Sequence, residues 1–181
     1  MTFRTMDFRS LSKTTKKRIK KMNQEQIVDA VRGWLDADDW HYDYNAERHL
    51  FKMGISLKSK IKSGRIFVDV KKDCYVVYLY APISGDKDKL AELTKYLTMA
   101  NYGLLNGNFE LDAQDGEIRY KTYVNCDGME KLSSEVIQDS IYVGCVMMDR
   151  YGDGIAALAL GFSDADTEIK KAEGKDESSD S

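Results

Sequence analysis

The sequence predicts an α+β fold, a five-stranded antiparallel sheet with helices packed on it in the order α-β-β-β-α-β-β-α. Three observations carry that expectation. The stretch from Asp86 to Asn125 reads as one long helix, a Gly-marked stop and a β-hairpin that folds back, so a helix feeds directly into an antiparallel sheet. Before it, apolar and polar residues alternate in short runs broken by turn residues, the period of half-buried strands. On either side lie segments with apolar residues three and four apart, the period of amphipathic helices.

In chain order, residues 1–22 form a basic head. Arg4, Arg9, Lys13, Lys16, Lys17, Arg18, Lys20 and Lys21 stand against Asp7, a net of +7, and without a sustained apolar period the expected state is disorder. A single domain is expected over 23–162. Asn23 followed by Gln26 matches a capping box, and Ile27, Val28, Val31, Trp34 and Leu35 give the first helix one apolar face. Trp40, Tyr42 and Tyr44 then bring dense aromatic content, expected either as rim packing or as part of a protein interface. Phe51, Met53, Ile55 and Leu57 form the first alternating strand. After the Ser63-Gly64 turn, Ile66, Val68 and Val70 form the second. The third, Cys74 to Ala81, is apolar or aromatic on both sides, with Tyr75, Val77 and Leu79 one way and Val76, Tyr78 and Tyr80 the other. It should be central, with Pro82 at its end, where a missing donor is tolerated. Helices should cover one face of the sheet, and the other would expose Phe67, Tyr78, Tyr80 and Tyr123, a patch that monomers rarely leave open.

Asp86 or Asp88 should cap the central helix. Leu90, Leu93, Leu97, Ala100 and Leu104 supply its inner face. Tyr96, Met99 and Gly103 form a second stripe, which either packs under a loop or meets a second copy of the chain. The helix should stop within Asn106-Gly107-Asn108. Phe109, Leu111 and Ala113 alternate next, and Asp115-Gly116 signals a tight primed hairpin turn. The return strand puts Ile118, Tyr120, Thr122 and Val124 on one face and Glu117, Arg119, Lys121 and Tyr123 on the other. Ser133 or Ser134 should cap the last helix, which is apolar nearly all round from Ile141 to Met148. Gly152-Asp153-Gly154 should weaken or kink it, with helical phase continuing to Leu160. Residues 163–181 are polar, acidic and aperiodic, a disordered tail by expectation.

With 181 residues, 43% hydrophobic and 31% charged, the chain suits one domain with tails, able to bury a core without disulfides. No apolar run approaches the roughly 20 residues that span a bilayer, and the N-terminus has no secretory apolar core. Cys74, Cys126 and Cys145 are odd in number and far apart, which points to buried thiols in a reducing compartment, the cytosol. His41 and His49 lack Cys or carboxylate partners at ligand spacing, so neither a metal nor a cofactor is expected. Asp149–Gly154 begins like a calcium loop, but Tyr151 falls at its third ligand position and Leu160 at its twelfth. The sequence contains no phosphate-cradling Gly loop, no H-E-x-x-H, no G-x-S-x-G and no paired Cys and His.

Leu93, Leu97 and Asn101, then Asn106-Gly107-Asn108-Phe109-Glu110-Leu111-Asp112 with Asp115-Gly116 and Ile118 to Tyr120, resemble the YbjN-like family. That family is described as bacterial sensory transduction regulators and shares the type III secretion chaperone-like fold. The resemblance implies a compact α+β body, often dimeric, with no catalytic residues to carry over. Secretion chaperones of that fold hold extended client segments on apolar patches and pair through the helix equivalent to residues 88–104.

The expected function is therefore a non-enzymatic protein-binding module, chaperone-like or regulatory, acting as a homodimer that docks a polypeptide partner on apolar surface. Its candidate partner or dimer residues are Tyr96, Met99, Gly103, Phe67, Tyr78, Tyr80 and Trp40. The alternatives are nucleic-acid binding through Lys16, Lys17, Arg18, Lys20 and Lys21 of the head, or an enzyme with no recognisable motif. The head itself reads as a solvated arm, a nucleic-acid contact or a targeting segment.

Overall fold

The computed structural model describes residues 21–174. Helix α1 (Gln24–Ala37) leads into strands β1 (Tyr42–Asn45), β2 (Leu50–Ser56), β3 (Ser63–Val70) and β4 (Cys74–Ser84). Helix α2 (Leu90–Asn101) follows, then the hairpin of β5 (Asn108–Leu111) and β6 (Glu117–Asn125), and finally helices α3 (Ser134–Ala159) and α4 (Ala165–Glu173). The strands form one antiparallel sheet in the order β1-β2-β3-β4-β6-β5.

The α+β class and the antiparallel sheet are as expected, but there are six strands rather than five. The extra strand is β1, where Tyr42 and Tyr44 alternate with Asp43 and Asn45 along the edge of β2. Both tyrosine rings pack on Phe51, with centroids 5.4 and 4.5 Å away. Four residues are too few for a period to stand out, so the aromatic density was visible and the strand was not.

The core lies on one side of the sheet. Phe51, Ile66, Val68, Tyr75, Leu79, Ile118 and Tyr120 turn inward and are fully covered. Against them pack Ile27 and Leu35 of α1, Leu93 of α2, and Ile137, Ile141 and Ile155 of α3. Alternation explains the choice of face, because a strand puts every second side chain on the same side. The polar pair inside this core is mutually satisfied: Tyr75 reaches Ser140 at 3.0 Å, and Ser140 donates to the Ile137 carbonyl at 2.7 Å. Burial raises the Tyr75 phenol well above its ordinary range, so the hydroxyl stays protonated and available as a donor.

Both boundaries of α2 and the hairpin turn after it differ from expectation. Neither Asp86 nor Asp88 caps α2; the N-cap is Lys89, with no side-chain bond, after a turn in which Lys89 N–H donates to the Asp86 carbonyl. The helix also ends at Asn101, because the Asn101 side chain leaves it to bond both backbone groups of Phe109. Gly103 lies beyond the helix, at φ +93°. The hairpin that follows is not a two-residue primed turn: Asp112 pairs with Glu117 across a longer loop, and Gly116 takes the positive φ, +73°.

Helix α3 runs unbroken through Gly152-Asp153-Gly154. The glycines permit close approach there rather than a kink. A Cβ at Gly152 would come within 2.6 Å of Ser59 Oγ, and one at Gly154 within 2.5 Å of Tyr96 Cζ. The stretch expected as a disordered tail from residue 163 instead contains α4. Asp164 caps it by accepting from Thr167 N–H, and Gly174 closes it in the left-handed conformation. Residues 175–181 lie outside the described residues.

At the other end, Lys21 and Met22 belong to the fold rather than to a loose head. Lys21 pairs with Asp127, and Met22 N–H donates to the Met129 carbonyl at 3.0 Å.

Candidate functional site: the open face of the sheet

Helices α1 and α3 lie against β3, β4 and β6, α2 lies against β5 and α3, and α4 sits on α2 and α3. Among the described residues no helix covers the opposite face. The side chains there follow from the same alternation that builds the core. The register sets Lys52 beside Phe67, Phe67 beside Tyr78, Tyr80 beside Arg119, Tyr78 beside Lys121, and Arg119 beside Glu110. One connected surface thus crosses β2, β3, β4, β6 and β5.

Arg119 is its centre. The guanidinium lies 4.5 Å above the Tyr78 ring and 5.6 Å from that of Tyr80. Its Nη1 donates to Tyr80 Oη at 2.9 Å, and its Nε to Glu110 Oε2 at 2.7 Å. Lys121 donates to the other Glu110 oxygen. Phe67 meets Tyr80 edge-on at 5.2 Å, and Lys52 stands 5.8 Å over Phe67. A guanidinium stacked on an aromatic ring and held at both ends cannot sample many rotamers, so this surface is preorganised.

Burial works against an ionised Glu110, but the hydrogen bonds from Lys121 and Arg119 outweigh it and hold the carboxyl below its ordinary value. Burial likewise opposes the Arg119 charge, and Glu110 and Tyr80 more than restore it. A carboxyl depressed in the folded state stabilises that state above its unfolded pKa, and the stabilisation disappears as pH falls through the folded pKa. Glu110→Gln should therefore cost about 1 kcal/mol at pH 7, the upper end for a surface ion pair. The gap between wild type and variant should close below about pH 4. Urea unfolding at pH 3, 5 and 7 measures it; a gap unchanged at pH 3 would mean that the pairing contributes nothing.

Two hollows flank the surface. One, of about 500 Å³, lies between Glu110, Asp112, Glu117 and Arg119. The other, of about 560 Å³, lies between His41, Asp43, Lys52, Arg65 and Phe67. By register the face carries Lys52, Arg65, Arg119 and Lys121 against Asp43, Asp69, Glu110 and Glu117, so its charges balance. Such a surface offers planar apolar contact with donors and acceptors at fixed positions.

The residues proposed from sequence divide into three places. Phe67, Tyr78 and Tyr80 do share the open face, half-buried by one another, with Tyr123 57% exposed at its border. Tyr96 is not available to a partner: it is fully covered within the chain, its ring against Tyr151 and its hydroxyl donating to the Tyr151 carbonyl at 3.0 Å. Met99 is half-buried beside α4, and Gly103 is exposed in the loop after α2. Trp40 lies with Trp34 and Tyr142, on the helical side, where Asp38 accepts from both Trp40 Nε1 and Tyr142 Oη. Lys16, Lys17, Arg18 and Lys20 fall outside the described residues, and Lys21 is engaged with Asp127.

The strand alternation sets Glu110, Arg119 and Lys121 opposite the apolar residues of their strands but gives none of the three a role. Cys126 is buried and Cys74 and Cys145 half-buried. Burial pushes the Cys126 and Cys145 thiols up to about 11, away from thiolate chemistry. Among the described residues no three His, Cys, Asp or Glu side chains are arranged to hold a metal ion, and no helix is long and apolar enough to cross a membrane.

Among the described residues, an antiparallel sheet with every helix on one face and an aromatic, charge-balanced surface on the other defines a two-layer α+β arrangement with an open sheet face. The chain belongs to the YbjN family, described as "Putative bacterial sensory transduction regulator", whose model matches residues 28–157. The crystal structure of YbjN, called "a putative transcription regulator from E. coli", shares the fold. It matches at a TM-score of 0.53 and 13% identity, over 71% of this chain and 92% of that one. No protein of curated function matches the chain.

Proposed function

We propose that the chain is a non-catalytic regulatory module of the cytosol that acts through protein contacts as a homodimer, with the open sheet face as the surface on which a second copy sits. The observation that supports it is the Arg119-centred aromatic plane, which no part of the described chain covers. Balanced charge favours self-pairing, since in a two-fold interface each cation finds the partner's matching anion. Four central strands measure about 20 Å across and about 25 Å along, so a copy seated there buries about 1,000 Å² in total, the lower bound for a specific interface. The chaperone-like side of the reading, in which the dimer holds a further polypeptide, rests on the family resemblance and on apolar surface elsewhere.

Sedimentation at tens of micromolar tests the dimer. The wild type should sediment as a dimer, and Arg119→Glu, which places five acids against three cations and removes the stacking on Tyr78, should be monomeric with its far-ultraviolet circular dichroism unchanged. A wild type that stays monomeric at 100 μM overturns the reading.

A further inference from the structure

We infer that the trough between α2 and α3 is a docking site for a short amphipathic helix of a partner protein, and that α4 is its resident occupant within the chain. The inference rests on reading the chain as a protein-docking module, but not on the sheet-face dimer. Its starting point is how few large apolar side chains α4 places in its seat. Of its nine residues only Ala165, Glu168 and Ile169 are buried, and Ile169 is the one large apolar side chain among them. Polar ties also hold it: Ala165 N–H donates to Glu92 Oε2 at 2.7 Å, Lys95 pairs with Asp166, and Arg150 Nε donates to the Ala172 carbonyl at 3.1 Å. The last two are exposed to water, where such contacts are worth least.

The seat is larger than the helix in it. A hollow of about 440 Å³ remains on the α2 side, against Met99, Tyr102 and Ile169. Another of about 560 Å³ remains on the α3 side, with Ala156, Leu160 and Phe162 beside Lys60, Arg150 and Asp153. The margins are open and amphipathic, with Tyr102 91% exposed on one side and Phe162 80% exposed on the other among charged side chains. Isolated exposed apolar residues are ordinary, but two that border the same underfilled trough mark an interaction surface. Nearly all of the trough lies within residues 28–157, which the family model matches, whereas α4 lies beyond them.

The resident helix shows what chemistry the seat accepts. Ala165, Ile169 and Ala172 fall at i, i+4 and i+7, the anchor spacing of a helix in a groove. A partner helix with larger residues at those anchors, and an acid where Asp166 meets Lys95, would fill the hollows that α4 leaves. Displacement of α4 is then the regulated event, because a tethered occupant competes at an effective concentration near millimolar.

The test uses the full chain and a fluorescent peptide of residues 163–174. In the Ile169→Glu chain the tethered helix is weakened, so the peptide should bind at least ten-fold more tightly than it does to the wild type. A peptide carrying Ala172→Leu should bind more tightly still, by filling the larger hollow. A peptide carrying Ile169→Glu should bind neither chain. Absence of binding to a normally folded Ile169→Glu chain at 1 mM overturns the inference, as would loss of folding in that variant, which would make α4 part of the cooperative core. Both results leave the sedimentation test of the dimer untouched.

Discussion

Gly154→Ala should destabilise the fold by about 2–3 kcal/mol, although the same change in most helices is favourable. Alanine exceeds glycine by about 1 kcal/mol in a helix interior, and Gly33 in α1, with nothing within 4 Å of an added Cβ, should show that gain. At Gly154 the added carbon falls within 2.5 Å of Tyr96 Cζ and 3.0 Å of Cε2. Tyr96 cannot yield cheaply, because its ring packs on Tyr151 and its hydroxyl is bonded to the Tyr151 carbonyl. Overpacking of this kind costs about 1–3 kcal/mol, and displacing the buried hydroxyl adds about 1–3 kcal/mol more. Together these exceed the propensity gain. Urea unfolding of the two variants side by side decides it: Gly33→Ala should raise the midpoint and Gly154→Ala should lower it. Equal behaviour would show that α2 and α3 are not held at this distance. Because α2 and α3 form the walls of the α4 seat, Gly154→Ala should also loosen α4.

The same contact explains why the sequence was misleading at Tyr96 and at the glycine pair. A one-dimensional reading assigns a wide apolar arc on α2 to a possible partner and two glycines in α3 to a weak joint. In three dimensions each accounts for the other, since the tyrosine occupies the space that Gly154 leaves. Helix α4 was missed for a different reason. Its apolar anchors are two alanines and one isoleucine in an acidic stretch, so composition outweighed a helical spacing that was present, together with an Asp164 cap. What was legible were the long alternating strands, because register fixes every side chain once a strand of seven or more residues buries one face. The short edge strand β1 lay below that limit.

The open face was legible through β4, where aromatic residues on both sides of one strand require two different environments. Its chemistry was not. Glu110 and Arg119 lie nine residues apart in sequence, and only the actual hairpin register sets them opposite each other. A tight two-residue turn at Asp115-Gly116 would have paired them differently.

Asn101→Ala should destabilise the fold by about 1–2 kcal/mol. Asn101 is among the residues that carry the family resemblance, and the structure gives it a definite task at the end of α2. Its Nδ2 donates to the Phe109 carbonyl at 3.0 Å and its Oδ1 accepts from Phe109 N–H at 2.7 Å, so one side chain does for β5 what a neighbouring strand would do. Phe109 is buried, with its ring edge-on to Tyr120 and Tyr151. Truncation leaves the Phe109 N–H unpaired, at about 1–3 kcal/mol for a buried group, while its carbonyl keeps the bond from Asn108 Nδ2 at 3.2 Å, and partial access of water holds the cost toward the lower end. Asn101→Asp separates the bonds from mere packing. An ionised aspartate faces the Phe109 carbonyl with no proton to donate, whereas the acid form restores the donor. Its folded pKa should then lie above the unfolded value near 3.9, and a raised folded pKa means stability present at low pH and lost as pH rises through it. Asn101→Asp should therefore be closer to wild type at pH 4 than at pH 7, while Asn101→Ala keeps the same deficit at both. Parallel curves for the two variants would show that the side chain only fills space.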